Sequence, residues 1–180
     1  MAGKYLRKPT EAEIKSKKDK EQQVLNHLWK WIVAAVLLAV FLLNIFTHVF
    51  QIVRYSGTGM EPTLYGGRTL VIRKTKTVEA GDIIAFYYNN QILIRRVICT
   101  GGQQIEIDKH GVVSVGGKLL EEKYLKNTTL GQCNIIFPYH VRTGTVFVMG
   151  DNRLEAMDSR LEEIGPVPED RIIGKVIFQI

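Results

Sequence analysis

A chain of 180 residues with one long apolar run leaves about 130 residues for folding, enough for a single core. The net charge of +6 is unevenly placed: residues 1–30 hold eight Lys/Arg against four Asp/Glu, so the basicity belongs mostly to the amino-terminal tail. The remainder has no basic stripe with interleaved aromatics, which argues against nucleic acid as a partner. It also has no His/Cys/Asp/Glu cluster at ligand spacing, so neither a metal nor another cofactor is expected.

Residues 1–29 read as a basic tail whose stretch from Glu11 to Leu28 can be helical and continue into the apolar run. From Trp31 to Leu43 every residue is apolar, and Ile45, Phe46, Val49 and Phe50 extend the run far enough to cross a bilayer, giving a span over residues 30–50. Trp29 and Trp31 stand at its polar end, where indoles favour the interface. Bulky residues follow the run instead of the small pair that a signal-peptide cleavage site needs, so the segment reads as an uncleaved anchor. The excess of Lys/Arg before the span predicts a single-pass cell-membrane protein with its amino terminus cytosolic and residues 51–180 outside the cell.

After residue 51 the pattern becomes short β-branched runs. Val71-Ile72, Ile83 to Tyr88, Ile92-Leu93-Ile94, Val97-Ile98, Ile105 to Ile107, Val112 to Val115, Val146 to Met149 and Val176 to Phe178 are separated by Gly, Asn and Asp turns. Such spacing predicts a mostly β, antiparallel domain, with Asn89-Asn90 as a hairpin turn. Residues 103–142 hold weaker strands and a polar stretch, and read as a small subdomain inserted between core segments 51–102 and 143–180. The cysteines, Cys99 and Cys133, are too few to define a disulfide framework; they read as two separate small hydrophobes.

Four stretches carry chemistry when read together. The first, Ser56-Gly57-Thr58-Gly59-Met60-Glu61-Pro62-Thr63, has the form of a serine-protease nucleophile loop without the nucleophile. The second is Gly81 to Phe86, opening with Gly81-Asp82. The third is Ile94-Arg95-Arg96-Val97 through Gly102. The fourth is Gly150-Asp151-Asn152-Arg153-Leu154-Glu155-Ala156-Met157-Asp158-Ser159-Arg160, followed by Gly165-Pro166 and Ile173-Gly174-Lys175. Their order and spacing, and the preceding anchor, resemble bacterial type I signal peptidases, the membrane-bound Ser–Lys proteases that remove secretory signal peptides. The resemblance runs from the anchor to the last residue and implies a signal-peptidase-like sheet or partial barrel.

The family's mechanism needs a serine hydroxyl, a lysine neutral enough to take its proton, and a second serine to hold the lysine. Carried onto this chain, the nucleophile position is Gly59, the general-base position is Arg95 and the base-orienting position is Ala156. Glycine offers no nucleophile, arginine stays protonated, and alanine cannot orient a base by hydrogen bonding. Thr58 is a neighbouring hydroxyl, but adjacent residues of a strand face opposite ways, so it is expected to point away from the old site. The structural motif positions are kept: Met60, Pro62, Gly81, Asp82, Arg96, Gly150, Asp151, Asn152, Arg153, Asp158, Ser159 and Arg160. The resemblance makes Asp158 and Arg160 buttresses of the site. A buried Arg95 is expected to have either an acidic partner, with Glu61 or a ligand carboxylate as candidate, or access to solvent.

The family binds extended peptides by strand addition, which draws affinity from main-chain hydrogen bonds and so survives without the dyad. By motif position the groove walls are Val53, Tyr55, Ile84, Ile92 and Ile94, each of which reads equally well as sheet core. Among relatives without the dyad, the chain resembles the inactive signal-peptidase-like accessory proteins of Gram-positive pilus assembly. That implies a pseudoenzyme with a pilin subunit and a pilus-specific sortase as partners. Two alternatives stay open: an active signal peptidase with a relocated nucleophile, and a regulator that sequesters signal peptides.

Overall fold

The computed structural model describes residues 11–180; the first ten residues of the basic tail lie outside the described residues. The described chain divides into two compact units, one ending at Thr47 and one starting at His48. The described part of the first is helix α1, Glu11–Val49, whose last two residues fall in the second. Its 39 residues extend roughly 58 Å at 1.5 Å per residue, longer than a bilayer's hydrocarbon core of about 30 Å. Within it, Ile14–Val49 is long and apolar enough to cross a membrane. Its apolar side chains, including Trp31, Leu37 and Phe41, are exposed on all sides, as suits a helix whose surroundings are lipid. At the polar end, the Trp31 Nε1–H donates to His27 Nε2 at 2.9 Å.

The second unit is mostly antiparallel sheet. The elements are β1 (Phe50–Arg54), β2 (Thr69–Lys74), β3 (Ile83–Tyr88), β4 (Gln91–Thr100), β5 (Gln104–Ile107), β6 (Val113–Val115), β7 (Lys118–Leu119), β8 (Tyr139–His140), β9 (Thr145–Met149), β10 (Val167–Pro168), a short 3-10 turn and β11 (Ile172–Gln179). Seven strands form the main sheet in the order β1-β2-β11-β3-β4-β9-β10, and β7-β6-β5-β8 form a second. Asn89 and Asn90 turn β3 into β4 with φ of 45° and 62°, leaving Tyr88 opposite Gln91. Those left-handed values match the strand twist in a two-residue hairpin, and asparagine tolerates them.

Two runs read separately in the sequence, Ile92–Ile94 and Val97–Ile98, belong to one ten-residue strand, β4. Arg95 and Arg96 do not interrupt it. Their backbone groups pair with β3 and β9 on either side, and a bulge between Val97 and Cys99 re-aims the strand beyond them. Phe50 ends no helix: α1 stops at Val49 and Phe50 opens β1, facing Arg73 of β2.

The main sheet has two apolar faces. Tyr55, Met60, Leu70, Ala85 and Ile94 pack on one, with Val53, Ile83 and Ile92 at its margin. Ile84, Phe86, Val97, Val148 and Ile172 pack on the other. A third cluster joins the sheets through Ile98, Ile105, Val113 and Phe147. Each fully buried Ile, Leu or Phe is worth about 1.5–3 kcal/mol. Gly174 in β11 permits close strand contact, because a Cβ there would stand 2.1 Å from the Arg73 carbonyl oxygen.

Candidate functional site

β1 delivers the chain to the glycine-containing loop. Tyr55 still pairs like a strand residue: its N–H donates to Arg68 O, and its carbonyl accepts from Gly67 N–H, both at 2.8 Å. Beyond it the backbone turns. Glu61 N–H donates to Thr58 O at 3.0 Å and Leu64 N–H to Met60 O at 2.9 Å. Residues 58–63 therefore follow no strand alternation, and the Thr58 hydroxyl does not point away from the motif segments. It donates to Glu155 Oε2 in the fourth motif.

The fourth motif holds this loop from the other side. Asn152 N–H donates to Gly59 O at 3.0 Å, and its side-chain amide donates to Thr58 O at 3.2 Å. Gly150 has no room for a side chain: a Cβ would stand 2.2 Å from the Ala156 Cβ and 2.4 Å from Gly59 O. Gly59, Gly150 and Ala156 thus meet in one tight cluster.

Arg95 fills the place beside them. Its Nη1 and Nη2 each lie 3.2 Å from the point where a Cβ on Gly59 would stand. The space beside Gly59 is therefore occupied by guanidinium. Arg95 is 6% exposed. Its Nε–H donates to Met157 O at 2.8 Å and its Nη1 to Ile94 O at 2.6 Å. Glu61 is not its partner: among the described residues no carboxylate forms an ion pair with Arg95. The turn places Glu61 in a cleft of about 310 Å³ with Pro62, Tyr65, Asp151 and Asn152. Burial holds the Arg95 pKa below the usual arginine value, opposed by the Asp158 carboxylate.

The kept motif residues form a connected support. Arg96 is bidentate on Asp151, with Nε–Oδ1 at 2.8 Å and Nη2–Oδ2 at 2.6 Å, and its Nη1 donates to Gly81 O at 2.9 Å. The Thr63 hydroxyl donates to the same Asp151 carboxylate, tying the loop to β4. Asp82 accepts from Glu79 N–H at 2.7 Å and pairs with Lys175 Nζ at 2.6 Å. Arg153 is bidentate on Glu122, whose Oε1 also accepts the Tyr124 hydroxyl at 2.6 Å. The Arg96 guanidinium stacks 4.0 Å above the Tyr124 ring. Burial and the Glu122 carboxylate both push the Tyr124 phenol above its ordinary range.

Asp158 and Arg160 are no surface pair. Both are 0% exposed, with Nε–Oδ1 at 2.8 Å and Nη2–Oδ2 at 2.7 Å. Asp158 also accepts Gly150 N–H at 2.9 Å, and Arg160 Nη1 donates to Arg153 O at 2.9 Å. Ser159 accepts Val148 N–H at 3.0 Å, fastening the segment to β9.

Of the five residues placed on the groove, Tyr55 and Ile94 are buried on one sheet face, and Val53 and Ile92 are half-buried at the margin of that face. Ile84 lies on the opposite face, packed with Phe86 and Val97. The reason is the two-residue period of β3, which sends Ile83 and Ala85 to the side where Ile94 stands. Sequence reasoning also passed over Glu155, inside the fourth motif, and Glu122 and Tyr124. The latter pair gives no local signal, because Glu122 meets Arg153 thirty-one positions away.

The family model for "Signal peptidase, peptidase S26" matches residues 28–180. The chain belongs to that family. It is 32% identical over 167 residues to a signal peptidase I of Bacillus amyloliquefaciens, covering 85% of each chain. It is 33% identical over 162 residues to signal peptidase I T of Bacillus subtilis, covering 83% of this chain and 81% of that one. A crystal structure of a signal peptidase I from Enterococcus faecalis aligns with a TM-score of 0.49 and 28% identity, over 56% of this chain and 97% of that one.

Proposed function

We propose that this chain is a membrane-anchored pseudoenzyme that docks extended peptide and does not cleave it. The carrying observation is the Arg95 guanidinium packed against Gly59, where a Ser–Lys peptidase needs a hydroxyl and a neutral amine. Removing nucleophile or base from a serine protease costs roughly a millionfold in rate. What supports docking is that β1 pairs only with β2 among the described residues, so its outer edge is open to an added strand. We infer the docked chain to be a pilin subunit presented to a sortase on a Gram-positive surface, with the sheet unit outside the cell. That step rests on resemblance to pilus accessory proteins that likewise lack the dyad.

Full-length protein in detergent, incubated with a preprotein bearing a standard signal peptide, tests the first part. No cleavage is expected. Capture of pilin in preference to a signal peptide tests the second, and the reverse preference would move the reading to a regulator that sequesters signal peptides.

An active peptidase is favoured by one observation, the Thr58 hydroxyl bonded to the Glu155 carboxylate beside Gly59. Cleavage that disappears in Thr58→Val would establish it and overturn the pseudoenzyme reading.

A further inference from the structure

Arg95 is a buried cation whose ion-pair capacity is unused. Its donors are Nε and Nη1, and Nη2 makes no hydrogen bond of good geometry among the described residues. The acid that acts on it, Asp158, is saturated by Arg160 and by the Gly150 N–H. A second group points the same way. Tyr55 is 5% exposed, and its hydroxyl makes no hydrogen bond of good geometry, although the Arg95 guanidinium and the Met60 backbone N–H stand close enough to act on it. It lies beside the Arg95 guanidinium, and 3.7 Å from where a Cβ on Gly57 would stand. The backbone N–H groups of Gly57, Thr58 and Gly59 also donate to nothing among the described residues. These groups can all donate protons, and their neighbours Gly57 and Gly59 place no side chain over them.

We propose that Arg95, Tyr55 and the backbone of residues 57–59 form a receptor for a carboxylate carried by an extended peptide. The inference rests on the peptide-docking reading above and specifies what is docked. A guanidinium fork matches the two oxygens of a carboxylate, and an unpaired buried hydroxyl gains a full hydrogen bond when that carboxylate arrives. Burial has already removed most water from both groups, which strengthens their attraction for an anion. A strand added to the open edge of β1 lies next to Tyr55 and residues 57–59, which follow β1 directly. Either an Asp or Glu side chain within the strand or a terminal α-carboxylate supplies the same chemistry.

The test uses full-length protein in micelles and three Ala/Val-rich decapeptides: one capped with a central Glu, its capped Gln twin, and the Gln peptide with a free carboxyl terminus. Calorimetric titration should give at least tenfold tighter binding for one carboxylate peptide over the capped Gln twin, and the peptide that gains identifies the source. That preference should vanish in Arg95→Gln and fall several-fold in Tyr55→Phe, which keeps the ring. If Arg95→Gln does not fold, the wild-type ratio and Tyr55→Phe decide. Equal affinity for all three peptides overturns the receptor and leaves docking intact. If no peptide binds, docking fails, and sodium acetate decides the pocket alone: a saturable shift of the Arg95 Nε–H NMR signal supports it, and no shift overturns it.

Discussion

Both terminal nitrogens of Arg95 stand 3.2 Å from the point a Gly59 Cβ would occupy. The two positions are therefore coupled, and a serine at 59 requires the guanidinium to give way slightly. We expect Gly59→Ser alone to destabilise the protein by about 1–3 kcal/mol, the usual cost of overpacking, with no gain of cleavage. Arg95→Lys should relieve much of that cost, so the double variant departs from additivity by about 0.5–3 kcal/mol. Denaturant unfolding of the four proteins in the cycle measures it. Adding Ala156→Ser completes the dyad's support, and preprotein cleavage by the triple variant is the expected outcome if the groove has kept its shape.

Asp158 and Arg160 are fully buried, so removing the charge of one leaves the other uncompensated. Asp158→Asn should cost about 3–5 kcal/mol. A thermal melt indistinguishable from wild type would show that the pair is not a structural support.

Neighbouring residues between β7 and β8 should behave in opposite ways. Glu122 pairs with an Arg153 side chain that is 1% exposed, whereas the Lys123–Glu121 pair is 80% and 77% exposed. Glu122→Ala strands a buried guanidinium and should cost about 3–5 kcal/mol. Lys123→Ala should change stability by less than about 1 kcal/mol. Urea midpoints for the two variants decide between this ranking and a segment that merely rests on the core.

The two thiols, both free, should differ in reactivity. Burial pushes Cys99 up to about 12, so it stays protonated at pH 8, while Cys133 is half-buried in the 131–135 segment. A thiol reagent at pH 8 should label Cys133 in the native protein and reach Cys99 only on unfolding. An impermeant reagent should label Cys133 on intact cells if the sheet unit lies outside.

The raised Cys99 value also has a pH consequence. Below the unfolded value of 9.0 both states keep the proton, and the stabilisation of the neutral thiol is fully present. Between about 9 and about 12 the unfolded chain ionises first, so stability falls as pH rises. Burial raises Tyr55 as well and adds in the same direction. Unfolding measured from pH 8 to 11 should show a shallower alkaline decline in Cys99→Ala than in wild type.

Much of the fold is legible from local pattern. The β-branched runs from Val71 to Phe178 mark strands because a half-buried pleat selects them, and Asn89-Asn90 marks its hairpin through backbone preference alone. Order within the sheet is not legible, since pairing of β11 with β2 and β3 depends on contacts about a hundred residues apart. The same limit governs the site. Gly59, Arg95 and Ala156 can be located by motif spacing, but the packing of Arg95 against Gly59 and the unpaired Tyr55 hydroxyl follow only from three-dimensional placement. Ile84 illustrates the cost of one position: a single step along β3 exchanges one sheet face for the other.

The place of β11 constrains how the protein can be made. Residues 172–179 are the last strand in the chain, yet they lie between β2 and β3. Until they emerge during synthesis, β1-β2 and β3-β4 remain separate hairpins with open inner edges. The apolar surface that Ile72 and Ala85 later share is then uncovered. Closure of the sheet must wait for residues 172–179, and this non-local step leaves the inner edges of β2 and β3 exposed while β4 to β10 are synthesised.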